Sequence, residues 1–231
     1  MRLIGLDVLR GIAIVLMVIF HFCFDLNNFH IVNFDLKHDL FWKYFRYLIV
    51  TIFVFSSGIS LKLAHQKSVK LHKVKKRVFI LGLASIAVSI GSYTQFPDSW
   101  IYFGILHFFL FASIVGLLFL NYPKTALFFG VGIIIGHSYN IINMHWFFVL
   151  VQKPLHLPAT YTEDLATIFP WFGVFLLGMV TASYRLHEKL FSILYLNTEN
   201  KLSLFFAFLG KHSLLIYLLH QPILFSVFLL L

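Results

Sequence analysis

The chain has 231 residues, of which 60% are hydrophobic and 12% charged, and its mean hydropathy is +0.87. Such a composition excludes a soluble globular domain and points to a polytopic membrane bundle. The net charge of +9 implies no nucleic-acid partner, because Lys and Arg in a membrane protein record topology first.

The apolar runs predict an all-α bundle of about seven transmembrane helices, at about 6–26, 45–63, 77–93, 101–120, 125–141, 165–184 and 211–231. No polar stretch is long enough for a separate soluble domain, so a single domain over residues 1–231 is expected. Only Arg2 precedes the first segment, which is too long for a signal-peptide core and lacks a small-residue cleavage site. It is therefore expected to remain as a helix. The single cysteine, Cys23, excludes an intrachain disulfide and lies in an apolar helix, where it is expected to pack.

The first helix carries charges where a membrane helix should have none. In LDVLRGIAIVLMVIFHFCFDL the ionisable groups are Asp7, Arg10, His21 and Asp25. Charge inside a bilayer is costly, so each is a functional candidate. At about 100° per residue all four fall within a sector of about 60°. Asp7 and Asp25 are about 27 Å apart at about 1.5 Å per residue, close to the hydrocarbon thickness. One face thus presents polar chemistry at both membrane surfaces.

Basic residues set the orientation. Lys62, Lys67, Lys70, Lys73, Lys75, Lys76, Arg77, Lys124, Arg185, Lys189, Lys201 and Lys211 fall on the side of Arg2, whereas Lys37, Lys43, Arg46 and Lys153 fall on the other. This predicts a cytoplasmic N-terminus, a cytoplasmic loop at 64–76 and an outer C-terminus at Leu231. Residues 142–153 are too short to cross and are expected to be interfacial or re-entrant on the outer side. The following loop, with Pro154 and Pro158, would cover the outer mouth.

By this orientation His21, Asp25, His107 and His220 can gather in the outer half, with Pro222 breaking a backbone bond beside His220. Histidine exchanges protons near neutral pH. Asp25, one turn from His21, could orient that imidazole. Histidines that only bond across helices are the structural alternative. Those at 30, 38, 65, 72, 137, 145, 156, 187 and 212 fall in loops or at interfaces, with His38 beside Asp39 a partial exception. Apart from His21 and Asp25, no pair has compact ligand spacing with a carboxylate in one span, and no metal is expected. The basic run from Lys62 to Arg77 would attract phosphorylated cosubstrate or anionic lipid, or simply mark the cytoplasmic side.

Several of these motifs occur together in one family. The first helix, YFGILHF at 102–108, FPWFGVFLLGM at 169–179 and LGKHSLLIYLLHQPIL at 209–224 resemble bacterial membrane proteins that share the heparan-alpha-glucosaminide N-acetyltransferase catalytic domain, within a wider superfamily of transmembrane acyltransferases. FVFSSGISL at 53–61 adds to the likeness. The resemblance implies transfer of an acetyl or acyl group from cytoplasmic acyl-CoA to a sugar or glycan acceptor at the outer side of a bacterial inner membrane. Asp7, Arg10 and Gly11 match the motif opening the first helix, His21 and Asp25 its end, His107 the FGILH motif and His220 the LLHQP motif. The expected catalytic residues are His21 as general base, Asp25 and His107. The expected cosubstrate-binding residues are Asp7, Arg10, Gly11, Lys211 and His220, with Arg77 from the basic loop. Direct transfer and a transient acyl-imidazole both fit, and self-association is left open. A proton-coupled transporter using the same His/Asp stripe is the alternative from another class.

Overall fold

A computed structural model describes every residue except 1, 2, 37, 67, 159–161, 163, 197–199 and 231, and the side chain of 145. Arg2, Lys37, Lys67 and Leu231, used above for orientation, therefore lie outside the described residues. The protein is all-α, with 76% helix. Among the described residues the only extended pairing is an isolated bridge between Phe103 and Leu165.

Among the described residues ten α-helices follow in order: α1 (Ile4–Asn28), α2 (Leu40–Ala64), α3 (Leu71–Gln95), α4 (Ile105–Val115), α5 (Pro123–Ser138), α6 (His145–Gln152), α7 (Ile168–Ser183), α8 (Leu186–Ile193), α9 (Lys201–Lys211) and α10 (Ser213–Leu229). A 3₁₀ turn, Gly116–Phe119, extends α4. Helices α1, α2 and α3 are each long and apolar enough to cross a membrane, and the number rises to five if each of two bent pairs forms one span. One bent pair is α9 and α10, which turn through 79°. Residues 201–211, assigned to a loop from their flanking lysines, thus form a helix of their own, and the expected last span begins at Ser213. Helix α6 has eight residues, about 12 Å of length, too little to cross.

The chain divides into two compact units, one of residues 1–56 and 186–231 and the other of 57–185. In the first, α1 packs along α9 and α10. Its core centres on Ile14, Met17 and Ile49, with Phe45, Phe53, Leu209 and Ile216 around them. The α1–α9 crossing depends on two glycines. A Cβ on Gly11 would collide with the Phe206 carbonyl oxygen, and one on Gly210 with the Asp7 carbonyl oxygen. Small residues let membrane helices approach to backbone contact. Helix α1 ends in a Schellman motif, with His30 left-handed at φ 58°. The Ile31 amide returns to the Leu26 carbonyl and the His30 amide to that of Asn27.

In the second unit α3 packs on α4 and α5 on α7. Gly130 and Gly173 form the α5–α7 contact, and a Cβ on Gly58 would meet the Phe175 carbonyl. The segment leading into α7 is stitched to the start of α4. The Ala166 amide donates to the Phe103 carbonyl, and the Thr162 hydroxyl donates to the Trp100 carbonyl.

Candidate functional site

The polar stripe of α1 meets different partners at its two ends, both within the first unit. At the N-terminal end Asp7 lies in the first helical turn, where its charge complements the helix dipole. It is 4% exposed, and Arg10 Nη1 is 3.7 Å from its Oδ1. Gly11 is fixed here by packing, since any side chain would strike α9. Lys211, at the end of α9, is exposed. Asp7, Arg10 and Gly11 are thus brought to the α1–α9 crossing, with Lys211 one residue beyond Gly210.

The other end of α1 faces α10. The His21 and His220 rings lie 4.7 Å apart between centroids, at 63°. His220 Nδ1 is 2.6 Å from the Tyr217 carbonyl oxygen. A carbonyl can only accept, so Nδ1 carries the proton and Nε2 of the neutral ring presents a lone pair. That Nε2 is buried and has no hydrogen-bond partner among the described residues. Asp25 is fully buried, and its Oδ1 accepts from Gln221 Nε2 at 2.8 Å. Asp25 Oδ2 and Gln221 Oε1 are likewise buried without a partner. Asp25 is therefore held by Gln221 and makes no hydrogen bond to His21, whose ring meets Phe20, Phe24 and His220. Pro222, inside α10, removes the amide that would bond the carbonyl of residue 218. Buried polar groups are nearly always bonded, and these three atoms on the α1–α10 seam have no partner among the described residues.

The second unit treats its candidates differently. His107 Nδ1 accepts the Gly104 amide at 3.2 Å, which puts the ring proton on Nε2. Nε2 donates to Ser89 Oγ at 3.2 Å, and that hydroxyl donates to the Ile101 carbonyl at 2.7 Å. Both ring nitrogens therefore serve to tie α3 to the N-terminus of α4. Asp164, which the sequence reading missed, accepts the Ile105 amide at the same helix end. The Arg77 guanidinium donates from Nε to Ser113 and from Nη2 to Ser57, each at 2.7 Å. Those buried hydroxyls hold it against α2 and α4. In the basic loop His65 is 5% exposed and accepts the Lys70 amide on Nδ1. Burial, and then the charges of Lys73, Arg77, Lys70 and His72, lower its pKa.

The structure thus joins His21, Asp25 and His220 and adds Gln221 and the Tyr217 carbonyl. It places Asp7, Arg10, Gly11 and Lys211 at the opposite end of α1, and His107 and Arg77 in the other unit. Among the described residues no group of three His, Cys, Asp or Glu side chains could hold a metal ion. The sequence places Gln221 beside His220 near the midplane but gives it no partner, and it misses Asp164, whose bond to the Ile105 amide joins residues 59 positions apart.

The chain belongs to the family of the heparan-alpha-glucosaminide N-acetyltransferase catalytic domain, whose model matches residues 2–222. Membership gives it the class of an N-acetyltransferase, and its long apolar helices make it an integral membrane protein. No curated protein matches the chain, and no solved structure does.

Proposed function

We propose that this protein is a membrane acyltransferase that takes an acetyl or acyl group from cytoplasmic acyl-CoA and delivers it to a sugar or glycan acceptor at the outer side. The observation that carries the reading is the packed His21–His220 pair, with His220 buried, beside Asp25 and Gln221, in a chain of an acetyltransferase family. Acyl transfer needs a group that accepts the proton of the attacking nucleophile, and this seam holds one. The distant end of α1, with Arg10 and the nearby Lys211, suits the phosphates of the donor, because a guanidinium makes bidentate contacts to phosphate. By the proposed topology the lysines of the 64–76 loop also face the cytoplasm, where they would attract an anionic cosubstrate. The topology proposed is seven crossings with the N-terminus and the 64–76 loop cytoplasmic and the C-terminus outside, in a bacterial inner membrane.

The test uses the purified full-length chain in detergent. Acetyl-CoA and glucosamine are supplied, and thiol release is followed together with formation of the acetylated sugar. Amine-dependent thiol release supports the reading. Binding of glucosamine without any acetyl-CoA turnover would favour a carrier instead. Cysteine labelling at position 70, in a Cys23→Ser background, checks sidedness. Labelling from outside would overturn the orientation.

A further inference from the structure

The geometry points to an acceptor-binding set formed by His220 Nε2, Asp25 Oδ2 and Gln221 Oε1 on the α1–α10 seam, with His220 Nε2 the atom that takes the proton of the attacking group. This deepens the acyltransferase reading and rests on it for the chemical step alone.

The three atoms share one property. Each is a hydrogen-bond acceptor, buried, with no partner among the described residues. The side of each group that could donate is already committed. His220 donates through Nδ1 to the Tyr217 carbonyl, and Gln221 donates through Nε2 to Asp25 Oδ1. The Gln221 amide cannot be reversed without setting its oxygen against the Asp25 carboxylate, so its Oε1 stays an acceptor. A seam with acceptors only must be filled by a donor, because a buried acceptor without one loses its full hydration. A hydroxyl or an amine meets that need. A phosphate or a thioester carbonyl does not, having only acceptors to offer. His220 therefore belongs with the acceptor substrate, and not with the cosubstrate as expected from the sequence.

The chemistry follows from the tautomer. The attacking N–H or O–H gives its proton to His220 Nε2 as its nitrogen or oxygen bonds to the carbonyl carbon of the acyl thioester. The ring becomes an imidazolium, still bonded to Tyr217 through Nδ1, and the buried Asp25 carboxylate on the same seam favours that charge. The C–S bond then breaks, the thiolate departs, and the Nε2 proton returns to sulfur. His21 shares the seam, but no hydrogen bond among the described residues fixes its tautomer, so the defined lone pair is that of His220.

Two substitutions test this with little change of shape. His220→Asn keeps an amide N–H where Nδ1 bonds Tyr217 and removes Nε2. Asp25→Asn keeps the Gln221 bond and turns the open acceptor into a donor. Calorimetry on the detergent-solubilised full chain should show glucosamine binding and no inorganic phosphate binding at this seam. Asp25→Asn should weaken glucosamine at least about tenfold, the scale of one lost charged hydrogen bond, while acetyl-CoA affinity stays at the parent value. His220→Asn should slow acetyl transfer at least about a hundredfold. Parent-like glucosamine affinity in Asp25→Asn, or a parent-like transfer rate in His220→Asn, overturns the assignment. Glucosamine binding is read without turnover, so a chain that fails to use acetyl-CoA sinks the acyltransferase reading while leaving the donor-binding set open to its own test.

Discussion

His220 and His107 are the same residue type in similar apolar helices, and the sequence offers both as reactive. Their surroundings separate them. At the start of α4 both nitrogens of His107 are engaged, one by the Gly104 amide and one by Ser89. On the α1–α10 seam one nitrogen of His220 is tied to Tyr217, and the other is buried and open. A buried imidazole fully bonded to its own protein is a brace, whereas one bonded on a single side has a fixed tautomer and a lone pair to use. Depth in the membrane does not tell the two apart; the partner of the second nitrogen does.

The largest effect expected from breaking this contrast is on the His220 side. His220→Ala should lose acetyl transfer at least about a hundredfold in single-turnover assays and retain its acetyl-CoA affinity. His107→Ala should show the reverse signature, losing about 1–3 kcal/mol of stability as bonded partners are left unsatisfied. Any fall in transfer should then track the folded fraction, read by thermal unfolding in detergent beside the assay.

A second contrast lies between glycines. Gly11→Ala would push a methyl group into the Phe206 carbonyl and should destabilise by about 1–3 kcal/mol, loosening the α1–α9 crossing beside Arg10. Gly132, in α5, has nothing within 4 Å of an added Cβ, so Gly132→Ala should gain up to about 1 kcal/mol from reduced chain entropy. Unfolding midpoints of the two variants check this directly. Arg10→Ala should weaken acetyl-CoA binding about tenfold, one charge-assisted contact on the usual scale, and flatten its dependence on salt.

The smallest effect concerns pH. Burial lowers the His65 pKa in the folded protein below its ordinary value of 6.5, so below that value the unfolded chain binds the proton more readily. Stability from this residue is therefore complete above pH about 6.5 and falls as the pH drops below it. His65→Gln should reduce the acid-side fall in the unfolding midpoint. An identical pH slope in parent and variant would remove His65 from the account.

Much of the scaffold was legible in the sequence because hydropathy and helical period act locally. The charged face of α1, the apolar lengths of α2 and α3 and the shortness of α6 follow from neighbouring residues alone. Helix α9 was not legible, since Lys201 and Lys211 at its ends made an apolar segment look like a basic loop. At the site, the sequence gathers His21, Asp25 and His220 in one half of the membrane, together with His107, which the structure places in the other unit. The bond from Gln221 to Asp25 joins residues 196 positions apart, and no periodicity encodes such a pairing. The expected His21–Asp25 partnership rested on i,i+4 spacing, which brings side chains near each other without choosing between them and a competing amide on another helix. Nor could spacing show that His107 would find Ser89 on α3.

Acetyl transfer at the α1–α10 seam is the central claim about this molecule. The direct measurement is amine-dependent thiol release from acetyl-CoA by the purified full-length chain, run beside His220→Asn from a matched preparation with acetyl-CoA affinity measured for both. The predicted result is steady release by the parent and a loss of at least about a hundredfold in the variant at equal donor affinity. Equal rates in the two proteins, or no release by a parent that binds acetyl-CoA, would contradict it.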